Sequence, residues 1–349
     1  MIQRILLKMV LVTLLLACSC FWTCEGNRNK KVLTVLTYNL WLHEYNEKAY
    51  RTKEERKKNI IHVLKKSEAD TVCLQEVYFG KDIEDFVDSL KDKYPYTFSG
   101  IHITVNGFPP QAKGKRKPPC DNTRLVTYLN CIKTNGCTAT ADDRELLACV
   151  LSNCVNQLQN IFQKDSQECL TCMTMSTANI MECTSTRPVV GGRTMNVGGL
   201  FLLSNRKLRD VSYTDYHPTT KELFPTGFIK AKVDDIATIV CTHLSAVGTN
   251  DFYEPELMKK GFTSYSDMNA YETRTLIRSL RGIQPAIILG DFNTGFAYKP
   301  QLRSVIPDSY VEMLKRFTTR PALKFTYRDP SNRKIQSVID HIFVKNLHT

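Results

Sequence analysis

The chain has 349 residues, a length that suits one large domain or two ordinary ones. Apolar residues make up 42% of it and charged residues 23%, which excludes a disordered, collagen-like or coiled-coil chain. The 47 Lys and Arg residues outnumber the 35 Asp and Glu residues, and this net charge of +12 favours an anionic partner but indicates no particular fold.

The first 26 residues are typical of a secretory signal peptide. Arg4 and Lys8 form a positive flank, and the apolar run from Val10 to Ala17 is too short to span a bilayer. Two alternatives stay open: a retained membrane anchor, and a lipid anchor, because Leu-Leu-Ala-Cys at 15–18 resembles a bacterial lipoprotein box. We expect a secreted protein, since no other stretch is long and apolar enough for a transmembrane helix.

Strand and helix patterns alternate between residues 31 and 77. The alternation in Val32–Leu36 predicts a strand, the spacing of apolar residues in Glu54–Lys66 predicts a helix, and Asp70–Val77 predicts a buried strand. This order is typical of a layered protein in which helices cover a sheet.

The sequence changes character between residues 105 and 188. A basic loop rich in Gly and Pro precedes two segments with helical spacing, Thr123–Lys133 and Asp142–Gln163. Eight cysteines fall here, an even number that predicts a disulfide framework of undetermined pairing. They are Cys120, Cys131, Cys137, Cys149, Cys154, Cys169, Cys172 and Cys183. We interpret 105–188 as a disulfide-stapled helical insertion that interrupts one domain spanning 27–349.

Two pairs of cysteines and the basic loop each allow more than one interpretation. The Cys169-x-x-Cys172 spacing also suits a zinc or redox site, although no partner histidines lie nearby. Cys73 and Cys241 lie apart from the other cysteines in apolar, strand-like runs, and we expect them to be buried thiols. The basic loop could contact an anionic membrane or nucleic acid, or be a processing site, but a solvated loop is the simpler interpretation.

After the insertion the layered pattern resumes. Strands are predicted at 199–204, 227–233, 237–243, 286–289 and 338–344, and a helix at 271–281.

Polar residues gather where several predicted strands end. The clusters are Tyr38-Asn39-Leu40-Trp41, Leu74-Gln75-Glu76-Val77, Thr242-His243-Leu244-Ser245, Gly290-Asp291-Phe292-Asn293 and Ile339-Asp340-His341-Ile342. Each cluster taken alone can be explained by the polar residues that are common in turns after a strand. Together they could form one site, in which carboxylate and amide oxygens bind a hard cation such as Mg²⁺ and a histidine transfers protons near neutral pH.

In their order these motifs resemble the endonuclease/exonuclease/phosphatase superfamily, which includes pancreatic-type deoxyribonucleases and neutral or bacterial sphingomyelinases. Gly-Asp-Phe-Asn at 290–293 is the most specific motif, supported by those at 74–77 and 242–244. The resemblance covers 31–104 and 190–349. It implies an α+β fold, a four-layered α/β/β/α sandwich of two packed, mainly antiparallel sheets with helices outside.

The resemblance also implies roles for individual residues. Glu76 would be the main metal ligand, and Asn39 would position the phosphate or a metal-bound water. His243 would contact the scissile phosphate and assist proton transfer to the leaving group. Asp291 and Asn293 would orient the nucleophile and the phosphate.

The end of the sequence departs from this pattern. The superfamily normally ends in a Ser-Asp-His strand whose histidine is the general base, but Val338–Val344 resembles an earlier, inner Asp motif. Asp340 would then orient a histidine or bind a second metal, and His341 would point to the opposite face of the strand. We therefore expect the terminal histidine to be missing and activity to be weak or absent; alternatively, Asp340-His341 is itself the terminal pair. Asn196 is the nearest candidate for a further polar substrate contact.

The implied cofactor is Mg²⁺, with Mn²⁺ or Ca²⁺ as alternatives, and the implied substrate is a phosphodiester. Tyr94-Pro95-Tyr96 and Asn39-Leu40-Trp41 favour a sphingomyelinase-like enzyme that releases phosphocholine at a membrane surface. The basic charge suits a deoxyribonuclease-I-like endonuclease equally well. A third alternative is a secreted, catalytically impaired binding protein whose insertion contacts an unknown partner.

Overall fold

The computed structural model describes residues 22–26, 31–43, 52–101, 116–137, 143–176, 179–189, 193–247, 254–295, 308–319, 326–328 and 336–347. The strands are β1 Trp22–Gly26, β2 Lys31–Asn39, β3 Thr71–Gln75, β4 Tyr96–Ser99, β5 Arg116–Lys117, β6 Arg187–Pro188, β7 Phe201–Ser204, β8 Leu208–Asp215, β9 Gly227–Val233, β10 Ala237–His243, β11 Ala286–Asp291, β12 Tyr327–Arg328, β13 Gln336–Ser337 and β14 Asp340–Lys345. The α-helices are α1 Lys53–Lys66, α2 Gly80–Leu90, α3 Asn122–Thr134, α4 Asp143–Asn153, α5 Val155–Lys164, α6 Gln167–Met175, α7 Pro255–Lys259, α8 Tyr265–Ser279 and α9 Asp308–Arg316.

Two five-stranded sheets form the centre of the protein. The first has the order β1-β2-β3-β7-β4 and the second the order β14-β11-β10-β9-β8. In each sheet only one pairing is parallel, β2 with β3 and β10 with β11. The prediction of mainly antiparallel sheets is therefore confirmed.

The sheets pack face to face, and helices cover their outer faces. Leu33 and Val35 of β2 lie in the core between the sheets, whereas Leu36 points the other way and packs among the residues of α1 and α2. On the far side, Leu276 of α8 and Met313 of α9 pack on the second sheet. Because successive side chains of a strand point to opposite faces, each inner strand contributes to two apolar layers. This is the predicted α/β/β/α sandwich.

The helix over residues 53–66 shows how local sequence sets an element boundary. The Thr52 hydroxyl accepts a hydrogen bond from the backbone N–H of Glu55, and the Glu55 carboxylate accepts one in return from the N–H of Thr52. This capping box satisfies two N–H groups that the first turn leaves unpaired. Lys65 and Lys66 occupy the last turn, where positive charge complements the helix dipole.

The insertion is helical and stapled by disulfides, as predicted. The eight cysteines pair as Cys120–Cys169, Cys131–Cys154, Cys137–Cys149 and Cys172–Cys183. The zinc or redox alternative for Cys169 and Cys172 is wrong, because each belongs to a different disulfide. The predicted helix over 142–163 is two helices, α4 and α5, which meet at Cys154.

The expectation that Cys73 and Cys241 are buried thiols is also wrong. They form a disulfide between β3 and β10, with 5.3 Å between their Cα atoms. Both residues are fully buried in the core between the sheets. This bond covalently joins the strand that leads to Glu76 to the strand that ends at His243.

The N-terminal residues bear on the signal-peptide hypothesis. Residues 1–21 lie outside the described residues, and 22–26 pair antiparallel with 31–35 as the edge strand β1. Removal of the first 26 residues therefore stays a prediction, and it would leave the outer edge of β2 open. Within the described part of the chain, no helix combines the length and apolar character needed to cross a bilayer.

Candidate active site

Strand pairing brings three of the predicted residues side by side at one rim of the second sheet. His243 is in register with Asp291, and Asp291 is in register with Asp340. β10 and β11 end at this rim and β14 begins there, so residues far apart in sequence share one edge. Paired residues in a sheet project to the same face, so all three side chains point between the sheets at this rim. We call this end of the sandwich, where His243, Asp291 and Asp340 lie, the mouth.

The first sheet contributes Asn39 and Glu76 to the same mouth. Asn39 is the last residue of β2, and Glu76 directly follows β3. The Asn39 Nδ2 atom donates to Glu76 Oε1 at 2.7 Å and to Asp291 Oδ2 at 2.9 Å. One amide therefore bridges the two sheets and fixes the Glu76 and Asp291 carboxylates on either side of it.

The carboxylates of this cluster are buried or partly buried, and they repel one another. Burial raises the pKa of Asp340 well above its usual value, and the charges of Asp291 and Glu76 raise it further. The pKa of Asp291 is also raised by burial, although the His243 charge and the Asn39 hydrogen bond oppose the shift. Asp340 Oδ1 is buried and has no hydrogen-bond partner among the described residues. Such an oxygen-rich, electron-rich site with an unpaired oxygen suits a hard divalent cation.

The described residues do not form a ready-made metal site. No three His, Cys, Asp or Glu side chains in this part of the chain are grouped so that they could hold an ion. A cation at the mouth would therefore need water for most of its ligands, because the Asn39 amide donates to the carboxylates and its oxygen accepts from the Trp41 N–H. Magnesium commonly keeps several waters when it binds to protein carboxylates, so the donor set is compatible with it.

His243 and Asn293 form the polar side of the mouth. The His243 Nε2 atom lies 3.1 Å from Asn293 Nδ2 and 3.8 Å from Asp291 Oδ2. Asn293 Nδ2 also donates to the Leu244 carbonyl at 2.7 Å, and the Asn293 backbone N–H donates to Asp291 Oδ1 at 2.7 Å. The imidazole is thus held near the Asp291 carboxylate, and an imidazole in such a setting can donate or accept a proton.

Two residues of the site adopt left-handed backbone conformations. Glu76 has φ 62° and Asn293 has φ 51°. Asparagine tolerates this region, whereas a glutamate there is unusual. Hydrogen bonds on either side keep the Glu76 turn in place, from Leu40 N–H to the Gln75 carbonyl and from Val77 N–H to the Gly199 carbonyl. Backbone strain of this kind is typical of functional sites.

His43 belongs to the site, and the sequence analysis missed it. Its Nε2 atom lies 3.2 Å from Glu76 Oε2. Burial raises the pKa of Glu76, but the hydrogen bond and charge of His43 outweigh this, and the pKa falls below its usual value. The loop that carries His43 is held by Arg56 of α1, whose guanidinium donates to the Trp41 and His43 carbonyls. The sequence feature that could have identified His43 is its position four residues after Asn39.

His341 lies away from the mouth. Its Nε2 atom is 2.8 Å from the Thr294 carbonyl, and its ring packs against Phe292 and Phe343 on the helix-covered face of the second sheet. Burial lowers its pKa to about 4. His341 therefore has a structural position, on the opposite face of β14 from the Asp340 side chain.

The neutral state of His341 predicts a pH dependence of stability. Because its pKa is 6.5 when unfolded and about 4 when folded, the unfolded chain binds the proton more readily between these values. Stability is fully present above pH 6.5 and falls as the pH drops towards 4, by about 3 kcal/mol from this residue.

We expect His341→Leu to flatten this part of the profile, as measured by denaturant unfolding at neutral and acidic pH. His62→Leu, at an exposed position on α1, is the control and should leave the profile unchanged. An equally steep acid loss in His341→Leu would contradict the assignment.

The suggestion that Asn196 provides a polar substrate contact is not supported. Its side chain is fully buried and bonds only to backbone: Nδ2 donates to the Val77 and Leu200 carbonyls, and Oδ1 accepts from the Gly100 N–H. Its physical role is to fix the chain that follows Glu76.

Comparison with known proteins places this geometry in a family. The sequence profile of the Endonuclease/Exonuclease/phosphatase family matches residues 36–349, and a comparison with curated protein sequences gave no match. Sphingomyelinase C from Streptomyces griseocarneus aligns with TM-score 0.48 and 13% identity, over 91% of this chain and 85% of that chain. A β-hairpin deletion mutant of beta toxin from Staphylococcus aureus gives 0.45 and 12%, over 90% and 87%. An endonuclease/exonuclease/phosphatase protein from Bacteroides vulgatus gives 0.44 and 14%, over 89% and 86%.

The family match spans most of the chain and includes every residue placed at the mouth of the sandwich. The chain therefore belongs to the Endonuclease/Exonuclease/phosphatase family.

Proposed function

We propose that the protein is a secreted, divalent-metal-dependent phosphodiester hydrolase. The observation that carries this proposal is the Asn39 amide, which joins Glu76 of one sheet to Asp291 of the other beside the unpaired Asp340 oxygen. Family membership supports hydrolysis of phosphate esters as the general chemistry. The five disulfides formed by described residues support secretion, because such bonds persist in oxidising compartments.

Glu76 is the residue that would hold the metal, with Mg²⁺ as the first candidate and Mn²⁺ or Ca²⁺ as alternatives, and Asn39 would position the phosphate or a metal-bound water. Bound there, the cation would neutralise phosphate charge and stabilise the charge that develops during displacement. The protein's own side chains would position and protonate the reacting groups. Asn293 holds His243 against the phosphate position, Asp291 keeps the imidazole oriented, and Asp340, whose pKa burial and the Asp291 charge raise, can hold a proton at the mouth.

A sphingomyelinase-like activity that releases phosphocholine is the favoured substrate assignment, and it rests on the sequence motifs at 39–41 and 94–96. A deoxyribonuclease-I-like activity is the second candidate, favoured by the net charge of +12. A catalytically impaired binding protein is the third, favoured by the structural position of His341, which leaves the mouth without its imidazole.

Two assays on the purified mature protein separate these candidates. We expect phosphocholine release from sphingomyelin vesicles in the presence of Mg²⁺, and loss of that release with a chelator. Nicking of supercoiled DNA under the same conditions would favour the nuclease. Hydrolysis of neither substrate would support the binding protein, and hydrolysis that survives the chelator would contradict the metal mechanism.

Replacing His243 by Ala should lower kcat by about 10²–10⁴-fold, the usual contribution of a positioned acid or base. The substrate KM should change little, because Glu76 and Asn39 keep their positions in the site. His62→Ala removes an exposed histidine and serves as the matched control. Steady-state kinetics provide the test, and an unchanged kcat would exclude His243 from the mechanism.

A further inference from the structure

The row of paired residues at the mouth continues beyond His243 to an acidic residue that the sequence analysis did not single out. Gly227 at the start of β9 is in register with His243, and it is also in register with Asp215 at the end of β8. Because paired residues project to the same face of a sheet, the Asp215 side chain points between the sheets. Tyr213, two positions earlier on the same strand, packs against the core between the sheets, in agreement with this direction. Asp215 is therefore a further acidic residue of the mouth.

The position between His243 and Asp215 in this row has no side chain, because it is Gly227. A Cβ atom there would lie 2.7 Å from the Tyr213 Oη atom and 2.6 Å from the Thr214 carbonyl oxygen, so the Tyr213 hydroxyl takes up the space. That hydroxyl is buried and has no hydrogen-bond partner among the described residues. The row therefore has no charged side chain between His243 and Asp215, and it contains an unpaired hydroxyl of the kind that is typical beside a water or ligand position.

The negative charge of Asp215 is only partly compensated. Its Oδ1 atom accepts from the His217 N–H at 2.8 Å. The positive charges that act on the carboxylate, those of His217 and Arg193, do so without a side-chain hydrogen bond. Burial has the larger effect and raises the pKa of Asp215. A partly buried carboxylate in this state is stabilised when a cation binds beside it.

The spacing of the row fits a ligand that carries charges of both signs. Asp215 lies two strands from His243, and neighbouring strands are about 4.8 Å apart, so about 10 Å separates the two backbones. A phosphate beside His243 would lie between them. A positively charged nitrogen joined to that phosphate by a two-carbon link would lie about one strand spacing farther along the row. This is the position of the Asp215 carboxylate.

We propose that Asp215 determines substrate specificity by binding the positively charged nitrogen of a phosphocholine head group whose phosphate lies beside His243. The inference rests on the proposed function, because that function places the phosphate at His243. The choline nitrogen has no proton to donate, so a negative charge without a hydrogen-bond requirement is sufficient to attract it.

The same carboxylate disfavours a polynucleotide. A phosphodiester of DNA has further phosphates on both sides, and one of them would face Asp215 across the empty place at Gly227. Like charges brought together at a binding surface suppress the wrong partner. Asp215 therefore favours a zwitterionic head group over DNA, although the net charge of the whole chain is positive.

Phosphocholine and its carbon isostere, in which a tert-butyl group replaces the trimethylammonium group, test the proposal because they differ in charge and not in shape. In calorimetric titrations of the purified protein with MgCl₂ present, phosphocholine should bind about fivefold more tightly or better. An exposed ion pair contributes up to about this factor, and Asp215 is partly buried.

Asp215→Asn should remove the preference, since it deletes the charge and keeps an oxygen that can accept from the His217 N–H. Asp235→Asn is the matched control and should keep the preference. It makes the same change at the opposite end of the same sheet, in the turn between β9 and β10, where the side chain is 80% exposed. In phosphocholine release from sphingomyelin, Asp215→Asn should raise KM by a similar factor and change kcat less.

Equal binding of the two ligands by the wild type, or no binding of phosphocholine, overturns the proposal without any variant. A preference that survives in Asp215→Asn overturns it as well. If Asp215→Asn fails to fold, the wild-type preference is measured at low and high NaCl: a preference based on charge weakens with salt, and one that does not contradicts the proposal. Hydrolysis of neither sphingomyelin nor DNA would refute the proposed function alone, because the binding preference and its loss in Asp215→Asn would still establish the role of Asp215.

Discussion

Replacing Glu76 by Gln should weaken Mg²⁺ binding by more than about 100-fold, since even the loss of an outer-shell partner costs about 10–100-fold in metal affinity. Metal-stimulated hydrolysis should fall with it. Glutamine keeps the shape of the side chain and can still accept from Asn39 Nδ2, which now bonds Glu76 Oε1 at 2.7 Å. It also removes one of three mutually repelling carboxylates. The Tm of the metal-free protein should therefore stay nearly unchanged.

Calorimetry with MgCl₂, phosphodiesterase assays and thermal unfolding measure the three parts of this prediction. Glu68→Gln, at an exposed position beyond α1, is the matched control and should behave as the wild type in all three. A large fall in the Tm would make Glu76 a structural residue. Unchanged Mg²⁺ affinity would remove it from the metal site.

The fold and most of the mouth could be predicted because their signals are local. Each motif lies within four consecutive residues, four of them where a strand ends and the fifth where β14 begins, and strand pairing then places these positions on one rim. β8 was not predicted, since Leu208–Asp215 is largely polar and lies at an open sheet edge, where apolar alternation is not required. The helix predicted from 271 begins at Tyr265, because Ser264 caps it.

Other features depend on contacts that no local pattern contains. His43 reaches Glu76 because Trp41 turns the chain with φ 47° and Arg56 holds the resulting loop. Asn196 had a suitable residue type, but its side chain bonds to backbone N–H and carbonyl groups, and only the folded chain shows this. A cysteine in an apolar strand fits a buried thiol as well as a disulfide, and only sheet packing distinguishes them.

The residues at the mouth of the sandwich lower the stability of the folded protein, and the same features suit the proposed chemistry. The carboxylates of Asp291 and Asp340 repel each other, and Glu76 adopts an unfavourable left-handed backbone conformation. The two sheets must therefore be held together by other interactions. The apolar core between them and the Cys73–Cys241 disulfide lie directly beneath the site and provide this rigidity.

Removing the Cys73–Cys241 disulfide should cause a larger loss of stability than removing any other disulfide in the described part of the chain. Its cysteines are 168 positions apart, and the chain-entropy model gives about 5 kcal/mol for a loop of that length. The Cys120–Cys169 and Cys172–Cys183 bonds shorten the effective loop, but the dependence is logarithmic, so the value changes little. We expect Cys73→Ala/Cys241→Ala to lose about this free energy of unfolding under non-reducing conditions.

The matched control is Cys137→Ala/Cys149→Ala, whose cysteines are only 12 positions apart and should cost about 3 kcal/mol. That pair lies in the insertion, so its loss should leave hydrolysis unchanged, whereas the core variant should lose activity at a lower temperature than the wild type. Cys73 precedes Glu76 by three residues and Cys241 precedes His243 by two, so any loosening there moves both sides of the mouth. A smaller loss in the core variant than in the control, or two free thiols in the denatured wild type, would show that this bond does not hold the sheets together.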